Sequence, residues 1–374
     1  MNVKPGAEIY IGVMSGTSMD GIDVAIVDFS SFPPTLLHCS TQPYEAALRR
    51  KIQHITDEQR VSLDALFSLD TELGIAYAEA INLALGTIEM GAEQVVAIGN
   101  HGQTICHNPN SIHSYTAQLG DPNRIATLTG IDTVADFRRK DLAVGGQAAP
   151  LAPAFHRYVF QSDTENRVVI NIGGIANITS LPANRDEPII GFDTGPGNCL
   201  LDHWTKRHRQ TEYDSDGAWG ASGEIQPELL QKMLTDEAYF SAAPPKSTGT
   251  DYFNLTWLAK FLKPEFKACD VQATLTELTA VTIANSLNLL DTKPAACFIC
   301  GGGSHNSYLL ERLGKALPQS RVMTTDALVI DPDFVEAIAF AWLARERILL
   351  RPANITDVTN ATKPVILGGL FLAN

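Results

Sequence analysis

The amino-acid sequence predicts an α/β protein of two lobes with a ligand-binding cleft between them. Residues 9–29 contain an apolar segment, a glycine-rich turn and a second apolar segment, and residues 168–181 repeat this arrangement. A third apolar segment, 295–300, runs directly into three glycines. The chain has 374 residues, of which 45% are apolar, and this is enough for two hydrophobic cores. Two similar hairpins half a chain apart therefore predict two related lobes.

The first hairpin runs from Ile9 to Phe29. Its first apolar segment, 9–13, predicts a buried strand, and the segment 22–29 alternates in polarity as a half-buried strand does. The turn between them combines glycines with hydroxyl side chains. Backbone N–H groups and hydroxyl donors at such a turn form a nest for phosphate oxygens, because glycine permits close approach. An ordinary surface loop is the alternative.

The other two glycine clusters extend the phosphate interpretation to a nucleotide. Gly173 and Gly174 lie between two apolar segments, and Gly301–Gly303 follow the third. Three strand–glycine junctions fit a ligand with a phosphate end and a nucleoside end. The pattern G-x-x-x-x-G-K-[ST] is absent, and no predicted strand leads into G-x-G-x-x-G. The sequence therefore excludes a P-loop protein and argues against a Rossmann dinucleotide site.

The elements after the first hairpin are predicted from periodicity. Apolar residues recur at three- to five-residue steps over 62–88, which predicts a helix. Two short buried strands are expected to deliver polar residues to their tips: 95–99 before 100–104, and 134–135 before 136–140. The glycine- and proline-rich segment 145–153 is the best candidate for the crossing between lobes.

Three further elements are predicted in the second half of the chain. The segment 189–192 reads as a strand, so that Asp193 lies at a strand end. Thr274 and Glu277 have the spacing of a capping box at the start of a helix that continues to Leu290. Asp331-Pro332 predicts another helix start, with an N-cap followed by proline at the first helical position.

The charge and composition of the chain limit its partners. The net formal charge is −14 and the one basic cluster is 138–140, so nucleic acid and anionic membrane surfaces would be repelled. No apolar segment suits a membrane span, and the N-terminal residues show no signal-peptide pattern. The cysteines are scattered and the histidines lack zinc spacing, which predicts buried thiols in a reducing cytoplasm. A homodimer remains open.

Six motifs follow one another along nearly the whole chain: Met14-Ser-Gly-Thr-Ser-Met-Asp-Gly21, Asn100-His-Gly-Gln-Thr104, Ala135-Asp-Phe-Arg-Arg-Lys-Asp141, Asn171-Ile-Gly-Gly-Ile-Ala-Asn177, Phe192-Asp-Thr-Gly-Pro-Gly-Asn198 and Pro245-Lys-Ser-Thr-Gly249. Together they resemble the anhydro-N-acetylmuramic acid kinases, a family of the sugar kinase–actin–chaperone superfamily. The resemblance implies a two-lobed actin-like, sugar-kinase ATPase fold. An N-terminal lobe is expected over 1–140 and a C-terminal lobe over 141–374, whose tail after about residue 350 packs back on the first lobe.

The resemblance also implies an activity. The chain is expected to be an ATP-dependent kinase that opens 1,6-anhydro-N-acetylmuramic acid with water and phosphorylates O6, giving N-acetylmuramic acid 6-phosphate in peptidoglycan recycling. The implied ATP contacts come from the three glycine clusters: Gly16, Thr17, Ser18, Met19, Asp20, Gly21, Ile22, Asp23, Asn171, Gly173, Gly174, Asn177, Gly301, Gly302, Gly303 and Asn306.

Two carboxylates are the candidate catalytic groups. Asp193 is followed by a glycine-rich turn that does not crowd a ligand, and a carboxylate there either caps the turn or acts as a base. The resemblance favours the base, which would deprotonate the attacking water. Glu336 is the candidate second carboxylate that holds this water from the opposite lobe, and a solvated glutamate in the first turn of a helix is the alternative.

Five residues are candidate sugar ligands. Arg138 and Arg139 could pair with the lactyl carboxylate through the planar guanidinium, or form a surface ion-pair cluster with nearby aspartates. His101, Gln103 and Thr104 could bond sugar hydroxyls or fix their own loop. Lys246 lies in a family motif whose role the sequence does not explain.

Magnesium and the competing functions complete the prediction. Many sugar kinases of the superfamily place an aspartate two residues before the first Gly-Thr, but Met14 stands there. Mg²⁺ is therefore expected to be held mainly through water and the ATP phosphates, or by Asp20, Asp23 or Asp193.

An aspartic protease would need a second Asp-Thr-Gly, which the chain lacks. A kinase for another anhydrosugar such as levoglucosan, an aminosugar kinase and a non-metabolic actin-like ATPase remain alternatives.

Overall fold

The computed structural model describes residues 6, 8–16, 19–58 and 60–374. The strands are β1 (Ile9–Ser15), β2 (Gly21–Asp28), β3 (Thr35–Pro43), β4 (Ala97–Asn108), β5 (Tyr115–Leu119), β6 (Thr133–Ala135), β7 (Arg167–Ile172), β8 (Ile175–Leu181), β9 (Ile190–Pro196), β10 (Ala296–Cys300), β11 (Arg321–Thr324) and β12 (Gly369–Phe371). The helices are α1 (Ala46–Glu58), α2 (Leu63–Thr87), α3 (Pro122–Thr129), α4 (Arg139–Leu142), α5 (Ala152–Phe160), α6 (Cys199–Arg209), α7 (Ala218–Ala221), α8 (Pro227–Asp236), α9 (Ala238–Ser241), α10 (Leu255–Ala259), α11 (Ala268–Leu287), α12 (Ser307–Ala316), α13 (Val335–Ile348) and α14 (Thr356–Thr359).

The chain divides into two compact units. The first contains the residues up to Phe155 together with 334–374, and the second contains 156–333. This division differs from the predicted boundary after residue 140, because the segment that follows α4 is bonded into the first unit. The buried carboxylate of Asp141 accepts hydrogen bonds from Asn354 Nδ2 at 2.8 Å and from Thr359 Oγ1 at 2.9 Å.

Each unit contains one mixed sheet, and five strands of the first sheet have the same order as the five strands of the second. In the first unit the order is β12-β6-β4-β1-β2-β3, with β5 added beside β4, and in the second it is β11-β10-β7-β8-β9. Both are built on an antiparallel meander of three strands (β1–β2–β3, β7–β8–β9), beside which strands are added in parallel. The two predicted hairpins and the α/β class are therefore confirmed.

The two faces of the first sheet are covered by different helices. One face carries alternate apolar residues of β1 and β2, which join the core cluster that includes Leu73 and Ile81 of α2. The opposite face carries Gly12 of β1 and Gly99 of β4, which are neighbours in register, and α13 lies on them. A Cβ atom at Gly12 would lie 1.7 Å from Ala337 O, so only glycine lets the helix approach this closely.

The second sheet packs in the same manner against α11 and α12. Ile170 and Ile178 of the meander belong to one core cluster with Ile283 of α11 and Leu309 of α12. A separate aromatic and aliphatic cluster joins α6, α8 and α10 to the outer side of α11. Both clusters are built from side chains with almost no exposed surface, and at about 25 cal/mol per Å² this burial is the main force that holds the sheet to its helices.

Helix α2 is confirmed, and the predicted start of α11 is wrong. Helix α2 matches the segment 62–88, and Ser62 caps it by accepting a hydrogen bond from Ala65 N. The predicted capping box lies inside α11, which begins at Ala268. There the hydroxyl of Thr274 bonds a carbonyl one turn back, and Glu277 pairs with an arginine of α12. A local pattern was sufficient for α2, but α11 is extended by its burial on both sides.

Candidate active site

Buried polar side chains support the first glycine turn. Ser15 Oγ donates to Gln103 Oε1 at 2.6 Å and lies 2.7 Å from Tyr44 OH, so the tyrosine donates to the serine oxygen. Gln103 Nε2 donates to Gly16 O at 3.3 Å, and the Gln103 side chain is 1% exposed. These bonds join Gln103 to the first glycine turn, and its predicted roles, ligand of a sugar hydroxyl or support of its own loop, stay open.

The remaining residues of this turn have unequal access to a ligand. Thr17 and Ser18 lie outside the described residues. The carboxylate of Asp20 is exposed and lies 3.8 Å from Arg49 Nη2. Ile22 places its side chain in the core, so only its backbone is available. Asp23 Oδ1 accepts a hydrogen bond from Thr41 Oγ1 at 2.6 Å.

The face of the first sheet that bears α13 also carries a group of charged and polar residues. His101, Gln103 and Thr104 all lie within β4, which continues to Asn108. The prediction that the strand ends before residue 100 is therefore wrong. Pairing with β5 extends the strand. Arg138 Nε donates to His101 Nε2 at 3.0 Å, and Arg138 Nη1 donates to Ala148 O at 2.7 Å.

The bond from Arg138 determines the state of His101. Because the imidazole Nε2 accepts a hydrogen bond, its proton is on Nδ1 and the ring is neutral. Burial, together with the charge of Arg138, holds the pKa of His101 well below its ordinary value. Burial lowers the pKa of Arg138 itself to about 10, and Glu336 opposes this. Arg138 therefore stays charged at neutral pH.

Glu336 lies in the first turn of α13, on the same face of the sheet. Protein atoms around the carboxylate raise its pKa by desolvation, the charge of Arg138 lowers it and the charge of Asp23 raises it. The helix begins at Val335 and has Phe334 as its N-cap, so the predicted start at Asp331 is wrong. Asp331 instead accepts a hydrogen bond from Asp333 N in a separate turn. The Glu336 side chain is exposed within the first unit, so the solvated first-turn glutamate of the alternative interpretation stays open beside the proposed catalytic role.

The two adjacent arginines have different surroundings. Arg139 is exposed and its Nε donates to Asp136 Oδ1 at 2.8 Å, which is the surface ion pair of the alternative interpretation. Arg138 is half-buried beside His101. Thr104 Oγ1 accepts a hydrogen bond from Gln118 Nε2 at 3.2 Å. In the first unit the structure thus groups Asp23, His101, Arg138 and Glu336 electrostatically and leaves Arg139 at the surface.

The second glycine turn joins β7 to β8, and its carbonyl groups are already bonded. The amide groups of residues 197–199 donate to Gly173 O and Gly174 O at 2.8–3.1 Å. At Gly173 a Cβ atom would meet no heavy atom closer than 3.7 Å, and at Gly302 none closer than 3.6 Å. These two positions are open at the surface of the second unit, as the contact of a ligand with the backbone requires.

The third glycine cluster is packed against β7. Gly301 has φ +77°, and a Cβ there would lie 2.4 Å from Asn171 Oδ1, so glycine is required for both reasons. Gly303 packs on Ile172. Asn306 Oδ1 accepts a hydrogen bond from Leu309 N at 2.9 Å, which makes Asn306 the N-cap of α12. The cap thus engages the side-chain oxygen of Asn306, one of the residues predicted to contact ATP.

Three polar side chains of the second sheet form a row. Asn171 of β7, Asn177 of β8 and Asp193 of β9 are partners in register. Partners in register place their side chains on one face of the sheet, about 5 Å apart from strand to strand. All three are half-buried in a sheet whose neighbouring residues are mostly buried. We call them the polar row.

Asp193 lies inside β9, which continues to Pro196, so its predicted place at a strand end is wrong. Pairing with β8 extends the strand. Asp193 Oδ2 accepts a hydrogen bond from Thr248 N at 3.0 Å. Burial raises the pKa of Asp193 from 3.8 to about 6, although the Thr248 bond opposes the shift. The result is a carboxylate that is ionised at neutral pH and is a stronger base than an exposed one.

The sequence analysis missed the residues that hold Asp193. Tyr239 OH donates to Asp193 O at 2.8 Å, and Asp193 N donates to Lys246 O at 3.1 Å. Lys246 and Thr248 belong to the motif 245–249, which the sequence singled out without a role. Tyr239 had no signal in the sequence, since it lies in the four-residue helix α9, far from Asp193 along the chain.

The described residues contain neither a metal-binding cluster nor a membrane-spanning helix. No group of three or more His, Cys, Asp or Glu side chains in that part of the chain is arranged to hold a metal ion. None of the helices that the structure describes combines the length and apolar character needed to cross a bilayer.

Known proteins are similar to this chain over almost its full length. A family model described as anhydro-N-acetylmuramic acid kinase matches residues 8–373. The chain is 45% identical over 365 residues to the anhydro-N-acetylmuramic acid kinase of Coxiella burnetii (strain Dugway 5J108-111), with 97% of each chain covered. It is 46% identical over 372 residues to that of Pasteurella multocida (strain Pm70), with 99% of this chain and 98% of the other covered. The chain belongs to the anhydro-N-acetylmuramic acid kinase family.

Among solved structures, the activator of the 2-hydroxyisocaproyl-CoA dehydratase from Clostridium difficile with bound ADPNP is similar at 12% identity. The TM-score is 0.48, and the match covers 89% of this chain and 92% of that one.

Proposed function

We propose that this protein is an ATP-dependent kinase that opens 1,6-anhydro-N-acetylmuramic acid with water and phosphorylates O6. The product is N-acetylmuramic acid 6-phosphate, and the role is recycling of peptidoglycan sugars. Membership of the family supports the activity and the sugar. The observation that carries the chemistry is Asp193, a half-buried carboxylate with a pKa of about 6 in the polar row.

The reaction requires a base for water. In the anhydrosugar O6 is an ether oxygen bonded to C1, so it carries no proton. Water forms a bond to C1 as the C1–O6 bond breaks, O6 bonds to the γ-phosphorus of ATP, and ADP leaves. We assign the proton of the water to Asp193. A base with a pKa slightly below the working pH is largely ionised and still accepts a proton effectively.

The charged groups of the first unit are assigned to the sugar. Glu336 is the proposed second carboxylate for the attacking water, and Arg138 is the proposed partner of the lactyl carboxylate. The guanidinium of Arg138 donates through Nε to His101 and through Nη1 to Ala148 O. Among the described residues, no hydrogen-bond acceptor is found for its Nη2. His101, which is neutral, holds Arg138 in place. Thr104 remains a candidate for a sugar hydroxyl, and Arg139 is the less favoured candidate for the lactyl carboxylate because it already forms an exposed ion pair with Asp136.

The glycine turns are assigned to the nucleotide. Gly16, Gly173 and Gly302 offer backbone N–H groups, and Asn171 and Asn177 of the polar row offer side-chain amides. Mg²⁺ would neutralise phosphate charge, as phosphoryl transfer generally requires. Because the described residues contain no ready cluster of metal-binding side chains, Mg²⁺ would be held mainly by water and the phosphates, with Asp20 or Asp23 nearby.

An assay of ATP turnover against a panel of sugars tests the activity. The panel contains anhydro-N-acetylmuramic acid, anhydro-N-acetylglucosamine, levoglucosan and N-acetylglucosamine. The highest kcat/KM is expected for the first sugar. A higher value for levoglucosan or for the open sugar would replace the proposed substrate, and ATP hydrolysis that no sugar stimulates would exclude a sugar kinase.

An isotope experiment tests the ring opening. In ¹⁸O-labelled water, the label should enter C1 of the product and stay out of the transferred phosphate, because water attacks carbon while O6 attacks phosphorus. The product must be analysed before mutarotation exchanges the label. Label in the phosphate, or no label at C1, would contradict the coupled reaction.

A further inference from the structure

Helix α9 and the segment that follows it hold Asp193 at three different atoms. Lys246 O accepts from Asp193 N, Thr248 N donates to Asp193 Oδ2, and Tyr239 OH donates to Asp193 O. These bonds fix both the backbone and the carboxylate of one residue in the polar row. Their separation along the chain is 46 residues for Tyr239 and 55 for Thr248, so they exist only in the folded unit.

The side chain of Lys246 holds the bonding groups in place. Its Nζ donates to Tyr239 O at 3.1 Å and to Phe240 O at 3.4 Å, both in α9. The ammonium group also lies 4.8 Å from the centre of the Tyr239 ring, within the range of a cation–π interaction. Tyr239 O also accepts a hydrogen bond from Ala242 N at 3.2 Å, so the lysine adds a second donor to this carbonyl at the end of the helix. Lys246 thus ties its own segment to the helix that carries Tyr239.

The other end of α9 is anchored by Glu237. This buried carboxylate accepts hydrogen bonds from Tyr239 N at 3.0 Å, Trp257 Nε1 at 2.8 Å and Tyr252 OH at 2.9 Å. A buried carboxylate with several donors is a rigid anchor, because losing any of them leaves charge without a partner. Glu237 and Lys246 together therefore hold the short helix α9 at both ends.

We propose that Lys246 is a positioning residue of the phosphoryl-transfer reaction, which acts through Tyr239 and Thr248 on Asp193 and does not touch the substrates. The inference rests on the proposed role of Asp193 as the base. The charge of Lys246 is not among the causes of the pKa shift of Asp193, which are burial and the Thr248 bond. Lys246 acts by fixing geometry.

The groups that face Asp193 are few. On α9 the titratable group is Tyr239, whose pKa is raised by burial and by the charge of Asp193. Asn177, its register partner on β8, does not titrate. Helix α11 approaches β9 at Gly195, where the nearby side chain is Thr282, which does not titrate. A change in the Asp193 titration after substitution of Lys246 would therefore report the Thr248 bond.

Replacement of Lys246 by methionine tests the proposal. We expect kcat to fall about 10-fold or more, the effect of losing hydrogen bonds to a charged group, with the KM of ATP and sugar changed less than about 2-fold. The acid limb of kcat should move to higher pH, because the Thr248 N–H bond is the interaction that lowers the pKa of Asp193. Lys246→Arg should restore part of kcat. Lys293→Met is the matched control, since Lys293 is exposed and its Nζ donates a hydrogen bond to the side chain of Asn288.

Two further measurements keep the test decisive. Tyr239→Phe removes only the hydroxyl bonded to Asp193 O and should lower kcat with unchanged thermal unfolding. A ¹³C NMR titration of the Asp193 carboxyl without substrates should show a higher pKa in Lys246→Met than in wild type, even if the proposed activity proves wrong. A raised KM for ATP with an unchanged acid limb would mean that Lys246 binds phosphate and would overturn the proposal. Wild-type kcat and titration in the variant would also overturn it.

Discussion

Replacing Asp193 with asparagine should remove turnover and stabilise the second unit at neutral pH. Asparagine keeps the shape of the side chain, and its Oδ1 can still accept the hydrogen bond from Thr248 N. It cannot take a proton from water. We expect kcat to fall by at least ~10²-fold, the contribution of a general base, while ATP still binds.

The stability change follows from the pKa of the same carboxylate. Burial raises the pKa of Asp193 from 3.8 to about 6, so the folded protein retains this proton at pH values where the unfolded chain has released it. The free energy of unfolding therefore decreases as the pH rises from about 4 to about 6. Above that window the ionised carboxylate destabilises the fold by about 3 kcal/mol at most, since each unit of pKa corresponds to ~1.4 kcal/mol. Asparagine is free of this penalty.

Thermal unfolding at about pH 4 and about pH 7.5 measures the effect. The difference in Tm, variant minus wild type, should increase by several degrees between the two pH values, because 1 kcal/mol shifts Tm by roughly 2–4 °C in a domain of this size. Asp186→Asn, an exposed substitution in the loop before β9, should show no such increase. Near-normal kcat in a folded Asp193→Asn protein would refute the base, and a pH-independent Tm difference would refute the buried carboxylate.

Three other predictions follow from the positions of glycines and arginines. Gly12→Ala should lower Tm strongly and reduce kcat, because the new Cβ would lie 1.7 Å from Ala337 O and displace the helix that carries Glu336. Gly314→Ala is the control: its Cβ would meet nothing within 4 Å, so kcat should be unchanged and Tm should be unchanged or slightly higher. Gly173→Ala and Gly302→Ala should weaken ATP binding, measured by calorimetry, without lowering Tm. Each new Cβ fits the unliganded fold but occupies the proposed nucleotide surface. Unchanged ATP affinity in both variants would show that the nucleotide lies elsewhere. Arg138→Ala should reduce the ratio of kcat/KM for anhydro-N-acetylmuramic acid to that for anhydro-N-acetylglucosamine by about 10- to 100-fold, the effect of losing a charge-assisted pair. Arg139→Ala should leave this ratio unchanged. The reverse pattern would assign the lactyl carboxylate to Arg139.

Local pattern was enough to predict the parts of the fold that depend on neighbours in the chain. The hairpins at 9–29 and 168–181 were recognisable because apolar segments flank a glycine turn, and the helix over 62–88 was recognisable from its period and its cap. Local sequence singled out Asp193 but left a turn cap and a base as alternatives, between which the family resemblance favoured the base, and its place inside β9 was not predicted. Strand ends were misplaced where pairing with a neighbouring strand carries polar residues into a sheet, as at His101.

The sequence by itself determined two like hairpins, three glycine junctions, a set of candidate carboxylates and the family resemblance. Only the tertiary structure decided which candidates have the surroundings that their roles require. Gln103 bonds to the first turn, and Arg138 is half-buried whereas Arg139 is exposed. Tyr239 and Lys246 hold Asp193 in place. The physical reason is that burial and hydrogen-bond partners, which set pKa and orientation, come from residues tens of positions away, and no local pattern records which of them the folded chain brings together.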